Sequence, residues 1–82
     1  RLLAQLQKWE QQESQPSAAL LQAIGSLLLR QRDFEAAQAY LERALALEPD
    51  ATTYRALAEL MEQLRLFEKA STYYRLSLAA TA

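Results

Sequence analysis

The chain has 82 residues, with nine Lys and Arg against ten Asp and Glu, one Gly, two Pro, and neither His nor Cys. A net charge near −1 excludes the dense positive field on which phosphate-backbone binding rests. The lack of cysteine leaves a domain of nearly marginal size without covalent staples but is compatible with any compartment. Half of the residues are hydrophobic and turn-forming residues are scarce, which makes an all-α fold the expectation. Apolar runs such as Leu27-Leu28-Leu29 are far too short to cross a bilayer, so this piece is expected to be soluble. Because it begins at Arg1, it is expected to be part of a longer protein, whose targeting signals it would not contain.

The first segment, RLLAQLQKWEQQES, places Leu2, Leu6, Trp9 and Glu13 on one stripe at helical spacing, with Gln5, Lys8, Gln11 and Gln12 largely on the other. One amphipathic helix is therefore expected over residues 1–15. Pro16 disfavours helix at Gln15 and suits the first turn of a second helix. That helix is predicted from about Ser17 to Gln31, with Leu20, Leu21, Ile24, Leu27 and Leu28 at three- and four-residue steps. Asp33 is the expected N-cap of a third, which runs through Phe34, Ala37, Tyr40, Leu41, Ala44, Leu45 and Leu47 until Pro49 stops it. Asp50 can cap a fourth, expected from Thr53 to about Leu64 with Tyr54, Leu57, Leu60 and Met61. A fifth begins at Phe67 and carries Ala70, Tyr73, Tyr74 and Leu78.

The chain repeats itself at an offset of 33 residues. Leu21 aligns with Tyr54, Ala23 with Ala56, Ile24 with Leu57, Gly25 with Ala58, Leu27 with Leu60, Phe34 with Phe67, Ala37 with Ala70, Tyr40 with Tyr73 and Leu45 with Leu78. The repeated unit is a helix pair. Bulky positions alternate with small ones, Gly25/Ala58 and Ala37/Ala70, which leave room for backbones to approach. A pair of this length cannot bury its apolar face alone, so each copy must cover its neighbour.

At these residues the pattern resembles the tetratricopeptide repeat, a helix–turn–helix unit. Leu21, Ile24, Gly25, Leu28, Phe34, Ala37, Leu41, Ala44 and Pro49 fall at its signature spacings in the first copy. Tyr54, Leu57, Ala58, Met61, Phe67, Ala70 and Tyr74 do so in the second, where Ser77 replaces the small Ala. The resemblance implies a right-handed α–α superhelix of about five helices. Residues 1–15 would be a helix from a partial preceding repeat, 18–50 the first repeat and 51–82 the second. Arg32 and Arg65 stand where many such repeats have Gly, which leaves the type of turn between paired helices open.

The wording AQAYLERALALEPDATTYRALAELMEQL, followed by EKASTYYRLSLA, further resembles the C-terminal repeats of HemY-type protoheme IX biogenesis proteins of proteobacteria. That likeness implies an association with haem (tetrapyrrole) biosynthesis. It also implies an N-terminal inner-membrane anchor outside this chain; the side that the present domain faces stays open, the cytoplasmic side being one expectation.

Without His or Cys, the commonest metal ligands and nucleophile–base pairs are missing. Glu59 and Glu62, like Glu10 and Glu13, share a helix rather than facing each other across a cleft, and a solvated helix face accounts for them. Ser and Thr at 52, 53, 71 and 72 suit capping or solvation. The single Gly lies inside a helix and cradles no phosphate. Tyr40, Tyr54, Tyr73 and Tyr74 could stack on a porphyrin, and Tyr, Met61 or a Lys could ligate haem, but packing between repeats accounts for most of these positions. No catalysis and no cofactor are expected.

In the architecture that the resemblance implies, the first helix of each pair lines a concave groove. The outward residues there are Ala19, Gln22, Ser26, Leu29 and Arg30, then Thr52, Arg55, Glu59, Glu62 and Gln63. Gln22/Arg55 and Ser26/Glu59 stand where chaperone-tail clamps use Lys and Asn, so no such clamp is expected. A protein partner is, with Arg30 and Arg55 the residues best suited to meet acidic groups, although a solvated helix surface is the simpler reading of each. An apolar C-terminal stretch with Tyr73, Leu76 and Leu78 partly exposed favours association between copies. The alternatives to a protein-interaction scaffold are a tetrapyrrole-binding module and a purely structural, self-associating repeat element.

Overall fold

A computed structural model describes residues 1–12 and 16–81. Among them are five helices and no strand: α1 Leu2–Gln12, α2 Ala18–Arg30, α3 Phe34–Leu47, α4 Ala51–Gln63 and α5 Phe67–Thr81. The expected all-α helical-repeat fold is what the chain adopts. Glu13 and Gln15, to which the expected first helix extended, lie outside the described residues.

Local chemistry sets the boundaries. Ser17 is extended, with ψ 156°, and its Oγ accepts the Leu20 N–H at 3.1 Å, which satisfies a donor that the first helical turn leaves free. Pro16 therefore precedes the cap instead of sitting in the first turn. Asp50, also extended, accepts the Thr52 N–H at 3.1 Å, so α4 starts at Ala51, two residues before its expected start. Asp33 occupies the N-cap position of α3 without a side-chain cap bond, its ψ of 76° falling well short of the extended geometry of the other two. Pro49 holds Glu48 in an extended conformation and ends α3.

The turns within the two pairs are identical in kind. Arg32 and Arg65 have φ of 64° and 62°, the left-handed conformation that usually belongs to Gly. At the first, the Asp33 N–H reaches back to the Leu28 carbonyl and the Arg32 N–H to that of Leu29, both at 3.0 Å. At the second, Leu66 and Arg65 donate in the same way to Met61 and Glu62, at 2.8 and 3.0 Å. These are Schellman closures, which absorb helix-terminal carbonyls.

The helices pack into a slab whose Cα extents are 36 × 27 × 15 Å. α2 pairs with α3 and α4 with α5; α3 also packs on α4, and α1 on α2. Ile24, Leu28 and Ala37 form one core beneath Leu3 and Leu6 of α1. Leu41, Ala56, Leu57, Leu60, Met61 and Ala70 form the other, with Phe34 and Leu45 of α3 packed against it. The second core thus lies between the repeated units, and each large side chain fully buried there contributes roughly 1.5–3 kcal/mol. Ser77 takes the place of buried Ala44 in the second copy and stays satisfied by donating to the Tyr74 carbonyl at 2.8 Å.

The stripe expected on α1 is rotated. Leu3 and Leu6 face the core, whereas Leu2 and Trp9 are mostly exposed. The reason is geometric: the backbone of α1 runs close to that of α2 alone, with Glu10–Arg43 its polar link to α3, so only a narrow strip of its apolar surface is covered.

Candidate functional site

Two helices, α2 and α4, set side by side, shape the candidate site. Gln22, Ser26, Leu29 and Arg30 of α2 and Thr52, Arg55, Ala56 and Glu59 of α4 line a depression of about 230 Å³. It continues into a second, of about 340 Å³, which shares Leu29, Arg30 and Glu59 and adds Arg32, Glu62 and Gln63. At the other end, Ala19, Gln22 and Thr52 line a third hollow with Glu48 and Asp50. All of the groove residues singled out by sequence therefore lie along one furrow.

The furrow has an apolar floor and charged walls. Leu29 is half-buried and Ala56 buried, whereas Arg30, Arg55, Glu59, Glu62 and Gln63 are exposed. Gln22 Nε2 donates to Ser26 Oγ at 2.8 Å, one turn further along α2, so two of the groove's polar groups are held by each other. Arg43–Glu10, at 2.9 Å, is the one salt bridge among the described residues. Among the described residues, Arg30 and Arg55 have no carboxylate within bonding distance.

Two contributions escaped the sequence reading. Arg32 enters the furrow because its left-handed backbone turns it back beside α4, where Nη1 lies 3.5 Å from Gln63 Oε1 and the guanidinium sits 5.2 Å from the centre of the Phe34 ring. Its place where such repeats have Gly was visible in the sequence, but not the reach of its side chain to Gln63. Tyr74 reaches from α5 to donate its hydroxyl to Glu62 Oε1 at 2.7 Å. That bond to Glu62, with lesser help from burial and the nearby negative charges, pushes the Tyr74 phenol up to about 12. Glu62 is thereby held and is less free than Glu59 to meet a partner. Nothing in the spacing of residues twelve apart signals such a pair.

The tyrosines available for flat-ligand stacking are mostly packed. Tyr40 lies against the first core and Tyr73 and Tyr74 against the second. The Tyr54 and Tyr73 rings are 6.4 Å apart and tilted by 33°, and burial is the main cause that raises the Tyr73 pKa. A larger depression, about 650 Å³, lies between the ends of α2 and α3 beside Pro16, Leu21, Arg43 and Leu47. Its one charged residue, Arg43, is already paired with Glu10, so it lacks the converging polar groups of the furrow. No described helix is long and apolar enough to cross a membrane.

Comparison with known proteins bears on the first helix pair. No curated protein and no solved structure matches the chain. Residues 18–51 match the model of the tetratricopeptide repeat family. They cover α2, the left-handed turn at Arg32, α3 and the Pro49 exit. Over this first helix hairpin the chain is thus similar to the tetratricopeptide repeat.

Proposed function

We propose that this chain is a protein-interaction scaffold whose α2/α4 furrow receives a peptide segment combining apolar and acidic side chains. The observation that carries the reading is the pairing of an apolar floor, Leu29 and Ala56, with two guanidinium groups, Arg30 and Arg55, that form no ion pair among the described residues. A partner's apolar side chain gains by leaving water against that floor, and its carboxylates meet donors that need not be detached from an internal pair. The likeness to the tetratricopeptide repeat over 18–51 supports a scaffold role in general terms. The test is selection from a displayed peptide library on the full chain. Enriched peptides should carry Asp or Glu near an apolar residue, and Arg30→Glu with Arg55→Glu should abolish their binding while leaving helicity intact. Enrichment indifferent to those changes would exclude the furrow.

The resemblance to HemY-type proteins supports a narrower version, in which the parent sits in a bacterial inner membrane and the partner belongs to haem biosynthesis. Affinity capture with the full chain from bacterial membranes should then enrich tetrapyrrole-synthesising enzymes, and less so with the Arg30/Arg55 variant. Capture that does not enrich them would remove the haem connection and leave the scaffold reading standing.

A further inference from the structure

The internal repeat identifies two half-covered faces in this chain that are complementary to each other. In the first copy, Phe34, Leu41 and Leu45 of α3 pack with Ala56, Leu57, Leu60 and Met61 of α4. Thirty-three residues later, Phe67, Tyr74 and Leu78 of α5 occupy the corresponding positions, with Phe67 60% and Leu78 69% exposed. The other half of that interface recurs on α2, where Ala23 and Leu27 correspond to Ala56 and Leu60. The α4 pair is buried at 7% and 0% exposure, whereas Ala23 and Leu27 remain partly exposed. Helix α1 is a poor cover, since none of its own residues is buried.

We propose that copies of this chain associate head to tail, α2 of one docking on α5 of the next as α4 docks on α3, with α1 displaced. The occupant is a second copy because α2 is the other helix of this chain that carries the α4 pattern. This inference does not depend on the furrow or its partner. The exchange gives up the contacts of Leu3 and Leu6 and the Glu10–Arg43 pair. In return it covers Phe67, Tyr74 and Leu78 together with Ala23 and Leu27. Because only molecules with α1 detached can accept a neighbour, the apparent affinity is reduced by the fraction in that state. The contact joins unlike surfaces, so it propagates from copy to copy, and species beyond dimers form as rings or open arrays.

Trp9 is the chain's one tryptophan and lies on α1, so its fluorescence anisotropy reports that helix directly. Sedimentation equilibrium of the full chain across a wide concentration range should show association. Relative to the total protein's, the anisotropy of Trp9 should fall as association proceeds, because α1 becomes a loose tail. Leu3→Ala with Leu6→Ala, which loosens α1, should tighten association by about tenfold or more, and Phe67→Glu, at an exposed site that folding does not need, should abolish it. A monomer at all concentrations, in the parent and in the loosened variant alike, would overturn the proposal. So would association that persists in Phe67→Glu or leaves Trp9 as ordered as before, since another surface would then be responsible.

Discussion

A methyl group placed on Gly25 would lie 2.7 Å from Leu41 Cγ and 2.8 Å from Cδ2, with the Ala37 carbonyl oxygen at 3.3 Å. The small residue is thus an element of α2–α3 packing, and Leu41 is fully buried with little freedom to retreat. Gly25→Ala gains helix propensity of up to ~1 kcal/mol but forces the hairpin apart at a cost of about 1–3 kcal/mol. The expected result is a net loss of up to about 2 kcal/mol in urea unfolding, partly restored when Leu41 is shortened to Val. A stabilised Gly25→Ala variant would mean that the two helices are not so close.

The left-handed turns give a change in the opposite direction. A non-Gly residue in that conformation costs roughly 1 kcal/mol, and both Arg32 and Arg65 bear it. Arg65→Gly should raise stability by about 0.5–1 kcal/mol, the smaller backbone freedom of Arg in the unfolded chain offsetting part of the relief. Arg32→Gly should gain less, because the Phe34 and Gln63 contacts are lost with the side chain. Thermal unfolding of the two single variants would check the order.

Tyr74 and Glu62 predict a pH response. Because the folded-state value of Tyr74 lies above the ordinary 10.0, at about 12, the protonated phenol's contribution is whole below pH ~10 and is lost as pH rises towards pH ~12. Stability should therefore fall over that alkaline interval. In Glu62→Gln the largest cause of the shift is gone, so the tyrosinate absorbance attributable to Tyr74 should appear at lower pH. An unchanged titration would mean that the hydrogen bond does not form in solution.

Much of this arrangement is legible in the sequence because periodicity and spacing carry it. The bulky–small alternation at Leu21, Ile24, Gly25 and Leu28, repeated at Tyr54, Leu57, Ala58 and Met61, reports which side of each helix is buried. Pro49 and Asp50 report where one unit ends and the next begins. The type of turn stayed open because Arg32 and Arg65, standing where such repeats have Gly, are residue types that do not advertise positive φ. The register of α1 was hidden because Leu2, Leu3, Leu6 and Trp9 offer two overlapping stripes, and the choice between them depends on a single neighbour. Within the furrow, helix periodicity places Gln22 through Gln63 on outward faces. It is blind to the reach of Tyr74 across to Glu62 and of Arg32 back to Gln63.

Two equivalent hairpins bury the face of the first against the second, leaving the matching face of the second exposed among the described residues. Phe34 and Phe67 are the equivalent residues that distinguish the two, the first packed against the core between the units and the second 60% exposed. Urea unfolding of Phe34→Ala and Phe67→Ala, measured at low micromolar concentration, compares them directly. The expected loss is about 2–3 kcal/mol for Phe34→Ala and under about 1 kcal/mol for Phe67→Ala; equal losses, or a larger one at Phe67, would contradict the arrangement.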